Sequence, residues 1–151
     1  MKKLYLLSIL SALFFISVNC SKDFLKPYEE RIEGTWSLID VDRHGWNSST
    51  GGLPFRDGSF IFSDNGNLEY INIAGERYLG SWNLRKRWMP GNCSNGDCND
   101  RYVRSLHIHA INFTTQDVIT EYFDEIKFTG TDRFKAFIYS GNSTYVYRFR
   151  R

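Results

Sequence analysis

From Gly34 onward the chain alternates apolar and polar residues with a period of two, and turn residues break the alternation at short intervals. Successive side chains of a strand point to opposite faces, so each run offers one apolar face to a core and one polar face to water. The runs are residues 35–42, 58–63, 68–73, 77–88, 102–113, 118–129, 133–140 and 144–150, with Asn65-Gly66, Ala74-Gly75, 114–117 and Gly141-Asn142 as turns. Asn-Gly between alternating runs is the strongest short hairpin signal, because both central residues of its turn take a positive φ. The spacing predicts an all-β antiparallel meander of about eight strands, with no helix.

The inward set follows strand by strand. It is Trp36 and Leu38; Phe60 and Phe62; Leu68 and Tyr70; Tyr78, Trp82 and Leu84; Leu106, Ile108 and Ala110; Ile126 and Phe128; Phe134, Ala136 and Ile138; and Tyr145, Tyr147 and Phe149.

Residues 1–19 do not share this pattern. Lys2 and Lys3 precede an uncharged apolar stretch, Leu4 to Val18, that is too short for a spanning helix and has no polar face for a core helix. It reads as an export signal. Without it, the 19 Lys and Arg lose Lys2 and Lys3, and the remaining seventeen balance the 17 Asp and Glu, all of which follow Cys20. A formally neutral mature chain argues against a nucleic-acid partner, and the local runs "RKRW" (85–88) and "RFRR" (148–151) read as solvated faces.

Export suits the three cysteines. Cys93 and Cys98 lie in a Gly/Asn/Asp-rich loop, where a disulfide is favoured over two free thiols on compartment grounds, and where the ligands for a metal site are too few. Cys20 is left over. Its surroundings, "SVNC", resemble a bacterial lipobox of the loose kind found in Bacteroidota-type lipoproteins. Val18 fits the usual position, and Ser17 and Asn19 depart from it. The following "SKDF" looks like the short signals that send such proteins to the cell surface. The resemblance implies lipidation at Cys20, a membrane attachment through that anchor, residues 20–33 as a tether, and an outer-membrane location.

"GTWSL" (34–38) resembles the G-x-W signature on the first strand of lipocalins. The continuation through a second G-x-W at Gly80 to Trp82 is similar to small bacterial lipocalin-like lipoproteins, over most of 34–151. The resemblance implies a small β-barrel domain at 34–151, with Gly34, Trp36, Gly80 and Trp82 as structural signature. It further implies an Arg of the last strand, assigned to Arg148, packed on Trp36 at the closed end. About 118 residues and no C-terminal helix are short for a lipocalin.

No catalytic signature stands out. His107 and His109 share a strand face opposite Leu106 and Ile108 and lack a third ligand, so no metal or cofactor is assigned. Asp124 and Glu125, adjacent in a strand, point to opposite faces and make a poor acid/base pair. The serines lack a matched His and Asp, and "DVDRHG" (40–45) lacks the closing Glu of a calcium loop. The expectation is a non-enzymatic barrel that binds a small apolar or amphipathic ligand, with Tyr70, Tyr78, Tyr145 and Tyr147 lining the site. The alternative is a filled barrel that acts on a protein partner through its surface, with the 43–57 and 89–101 loops as contact elements.

Overall fold

The structure, a computed structural model, describes residues 26–45, 52–91, 93–94 and 97–151, without the side chains of 93, 94 and 97. The export signal and Cys20 lie outside these residues. The chain forms a closed antiparallel barrel of eight strands, the geometry that alternation predicts, and it fits a small lipocalin-like barrel.

The barrel strands are β1 (Gly34–His44), β2 (Ser59–Phe62), β3 (Asn67–Ile71), β4 (Arg77–Met89), β7 (Arg101–Ile111), β8 (Val118–Phe128), β9 (Arg133–Ser140) and β10 (Ser143–Arg150). Between β4 and β7, the two-residue strands β5 (Cys93–Ser94) and β6 (Asp97–Cys98) form a separate tip hairpin. Closure depends on β1. Its first residues, Gly34 to Ser37, pair with β2, and Ser37 to His44 pair with β10, so one strand closes the sheet by stagger. The predicted turns form as well: Gly66 has φ 79° and its N–H donates to the Ser63 carbonyl at 3.1 Å.

Every residue of the predicted inward set is buried or packed against the core. Phe134 stacks on Phe149 at 4.3 Å between centroids, Phe60 meets Phe149 at 5.4 Å, and Phe62 meets Trp82 edge-on at 5.6 Å. Phe55, in the loop after β1, joins them fully buried, edge-on to Phe60 and Tyr70.

Two expectations need correction at the closed end. The segment read as a tether contains a helical turn, α1 (Tyr28–Ile32), that docks on the barrel. Ile32 is fully buried, Tyr28 packs edge-on against Phe128 at 5.2 Å, and the Arg31 guanidinium sits 4.1 Å over the Phe128 ring. Trp36 Nε1 donates to the Ile32 carbonyl at 2.6 Å, which ties the first-strand tryptophan to this plug.

The second correction concerns the arginine on Trp36. Tyr147 and Phe149 point inward, so Arg148 between them points outward, where it bonds Asp40 and Asp42. Those contacts, led by the Arg148 hydrogen bond, hold the Asp42 carboxyl below its usual range. Arg151, one residue past β10, is free of strand parity and lays its guanidinium 4.4 Å over the Trp36 ring. Its Nη2 also donates to the Arg31 carbonyl at 3.0 Å and to the Glu33 carbonyl. Arg151→Ala therefore loses a cation–π contact and bonds to two carbonyls, and is expected to destabilise the fold by about 1–2 kcal/mol. Arg148→Ala removes only ion pairs to the largely exposed Asp40 and Asp42 on the outer face, with no aromatic ring beneath them, and should move a urea midpoint less. Equal shifts for the two variants would refute this assignment.

Candidate functional site

Among the described residues, the barrel interior, a bulge in β8 and the far end of the β4–β7 hairpin are places where polar side chains meet burial or concavity.

Contacting aromatic rings occupy the interior. Tyr70 and Tyr78, two of the four tyrosines expected to line a ligand site, lie against each other at 5.5 Å, and the Tyr70 hydroxyl donates to the Asp57 carbonyl at 3.1 Å. Burial is the main cause that raises both phenols above the usual range. Tyr147 is fully buried and edge-on to Phe123 at 5.0 Å; Tyr145 is partly buried beneath the Arg43 guanidinium, 5.2 Å from its ring. All four pack as core residues.

One carboxyl enters the same interior. Glu121 sits opposite the buried Ile108 in the β7–β8 register, so it shares the inward face. Desolvation raises its carboxyl above the ordinary 4.5, against a 3.0 Å hydrogen bond from the Tyr122 N–H. The Tyr147 hydroxyl, buried with no hydrogen-bond partner among the described residues, is raised by its own burial and secondarily by Glu121. A carboxyl raised in the folded state leaves stability intact below its unfolded value and erodes it as the pH climbs through the folded value. Glu121→Gln should thus stabilise the protein at about pH 8 and have little effect at about pH 4. Urea midpoints at the two pH values measure this, and an equal shift at both would count against an inward ionised carboxylate.

The bulge overturns a second expectation. Between the pairs Arg104–Ile126 and Leu106–Phe123, Ser105 of β7 faces both Asp124 and Glu125 of β8. Two residues against one break the alternation, and the two carboxylates converge on Tyr139 instead of facing apart. The Tyr139 N–H donates to Asp124 Oδ2 at 2.8 Å, and its hydroxyl donates to Glu125 Oε2 at 2.8 Å. Glu125 is buried, with Arg101 at 2.7 Å and Lys127 at 3.6 Å; Asp124 meets Arg87 at 3.3 Å. Burial first, then Glu125, pushes the Tyr139 phenol up to about 12. Both carboxylates are thus engaged by cations and by Tyr139. The cluster fixes the hairpin end against β9, beside a groove of about 490 Å³ lined by Met89, Gly91, Asn99, Arg101 and Tyr139.

The remaining sequence candidates are placed plainly. His109 Nδ1 shares a 2.8 Å hydrogen bond with Thr120 Oγ1, His107 lies 6.2 Å from the Tyr122 ring, and both are exposed. No group of three or more His, Cys, Asp or Glu among the described residues is placed to hold a metal ion. Trp82 is structural: its Nε1 donates to the Ser63 carbonyl at 3.0 Å and clamps the Asn65-Gly66 turn. Gly80 sits against the backbone of His109 and Ala110. Cys93 stands opposite the exposed Cys98 in the tip-hairpin register; the Cys93 side chain lies outside the described residues, as does Cys20.

Sequence reasoning missed Phe55, α1 and the exposed aromatic pair Trp88 and Tyr102. Only α1 left a local signal: Tyr28 and Ile32 are four apart, behind Pro27. No protein-family model, no curated protein and no solved structure matches the chain.

Proposed function

We propose that this chain is a non-catalytic, lipid-anchored protein of the bacterial outer membrane, of the small lipocalin-like lipoprotein kind, whose filled barrel works through its outer surface. The observation that carries the reading is the interior. Trp36, Phe55, Phe60, Phe62, Tyr70, Tyr147 and Phe149 are each at most 3% exposed and meet ring against ring, so core filling takes the space a carried ligand needs. The bulge cluster supports it from outside, since it holds the hairpin end rigidly as a contact element. Lipidation at Cys20 and a Cys93–Cys98 disulfide belong to the same reading. They rest on the export signal, the lipobox resemblance and the facing register of the two loop cysteines.

Intact mass spectrometry of protein extracted from membranes under native conditions tests these points together. The expected mass starts at Cys20, carries acyl chains and lacks two hydrogens. A mass without acyl chains removes the anchor. An apolar molecule that co-purifies in stoichiometric amount restores the ligand-carrier reading.

A further inference from the structure

The "RKRW" run has a division of labour that its charge alone does not reveal. Arg85 and Arg87 lie on one face of β4, and Arg87 reaches Asp124. Lys86 and Trp88 lie on the other, paired in register with Arg104 and Tyr102 of β7. Trp88 is 49% and Tyr102 63% exposed, with rings edge-on at 4.8 Å, and Lys86 Nζ stands 4.2 Å over the Tyr102 ring. Lys86 opposite Arg104 is a like-charge cross-strand pair, which costs stability unless an anion lies nearby. Glu29 approaches Arg104 at 3.8 Å, and Glu125 meets Arg101 and Lys127; Lys86 has the aromatic face.

This patch adjoins the place where the chain leaves toward its N-terminus. A groove of about 330 Å³ runs beside it, lined by Tyr28, Lys86, Tyr102, Arg104 and the Arg101–Glu125–Lys127 ion-pair cluster, so cations outnumber its one carboxylate. The Arg104 guanidinium lies 5.8 Å from the ring of Tyr28, the first residue of α1. Tyr28 lies eight positions after Cys20, a reach of at most about 26 Å at about 3.3 Å per residue. Tryptophan and tyrosine rings settle at the headgroup level of a bilayer, and lysine and arginine pair with its phosphates.

We infer that the Lys86, Trp88 and Tyr102 face docks on the phosphate-bearing surface of the membrane that holds the lipid anchor, and so sets which side of the barrel is presented outward. The inference rests on the proposed anchor at Cys20. A short tether beside an aromatic and cationic face leaves that face little choice but the bilayer it is tied to.

Tryptophan fluorescence tests it: the chain has four tryptophans, Trp36, Trp46, Trp82 and Trp88, and the difference between the wild type and Trp88→Phe, a substitution at an exposed site, isolates the signal of Trp88. The full-length gene is expressed in a bacterial host and the mature protein is extracted from membranes. Its mass is recorded, and it is placed in phosphatidylethanolamine vesicles containing phosphatidylglycerol and lipids brominated near the carbonyl. The signal that Trp88→Phe removes should be quenched. Lys86→Glu should weaken this contact about tenfold, as should high salt. An unquenched Trp88 in protein shown to carry acyl chains overturns the docking and leaves the anchor standing. Quenching in protein without acyl chains keeps the docking and removes the anchor. A Trp88 shielded before vesicles are added, by a co-purifying protein, assigns the face to that protein and overturns the inference.

Discussion

Gly80→Ala should unfold the barrel far more readily than Gly75→Ala. A Cβ at this position would lie 1.8 Å from the His109 carbonyl oxygen and 2.6 Å from the Ala110 Cα. Both obstacles are backbone, so no side chain can swing aside. Gly80 pairs directly with Ala110 in the β4–β7 ladder, which runs unbroken from Leu79–Ile111 to Met89–Arg101. To admit the methyl, the strands must part by more than an ångström near one end of this ladder, and the neighbouring ladder hydrogen bonds lengthen together. Overpacking costs about 1–3 kcal/mol, and strained hydrogen bonds add about 1 kcal/mol each, so a loss of about 3 kcal/mol or more is expected. That is a large share of the 5–15 kcal/mol typical of a domain. Gly75→Ala provides the comparison. Gly75 has φ 82° but nothing within 4 Å of the added methyl, so only left-handed strain of about 1–2 kcal/mol remains. Urea midpoints for the two variants decide the matter; a Gly80→Ala shift no larger than that of Gly75→Ala would show that the sheets part without cost.

The same comparison separates what a single sequence can reveal from what it hides. Gly80 and Trp82 stand out as a repeated G-x-W in strand context, and the structure gives each a steric or hydrogen-bonding reason. Inward faces were legible because alternation is local: Tyr145, Tyr147 and Phe149 need only their own spacing. That spacing also places Arg148 outward, so assigning it to Trp36 went against the strand's own parity, and Arg151 escapes the rule only because β10 ends at Arg150. The β8 bulge was not legible. Whether Asp124 and Glu125 face apart depends on how many residues of β7 they oppose, and the count is a property of the pair of strands. α1 is short enough that its stability comes from docking on Phe128 and Trp36, not from the propensity of "YEERI".

Trp36→Ala should be the most damaging substitution in the closed end, with a loss of about 3–5 kcal/mol. The side chain is fully buried, and four partners depend on it. Phe134 meets it edge-on at 4.7 Å, Phe128 lies at 6.1 Å, Arg151 covers its face, and Ile32 accepts its Nε1–H. Removal leaves a cavity, an uncovered guanidinium and a buried carbonyl without a donor. Trp36→Phe separates these effects. It keeps part of the ring contact and removes the Nε1–H together with the rest of the indole, so it should cost about 1–3 kcal/mol for the stranded Ile32 carbonyl plus a cavity smaller than that of Trp36→Ala. The cost should fall locally, because that hydrogen bond joins α1 to β1. Proteolysis under native conditions should then cut Trp36→Phe around residues 28–33 at concentrations that leave the wild type intact, with the barrel preserved. Trp36→Ala should instead lower the urea midpoint of the whole domain. If both variants keep α1 protected, Trp36 is ordinary core. If Trp36→Phe frays the N-terminal turn and leaves the barrel intact, the first-strand tryptophan is a latch that holds the plug, acting beside the contacts of Tyr28 and Arg31 with Phe128.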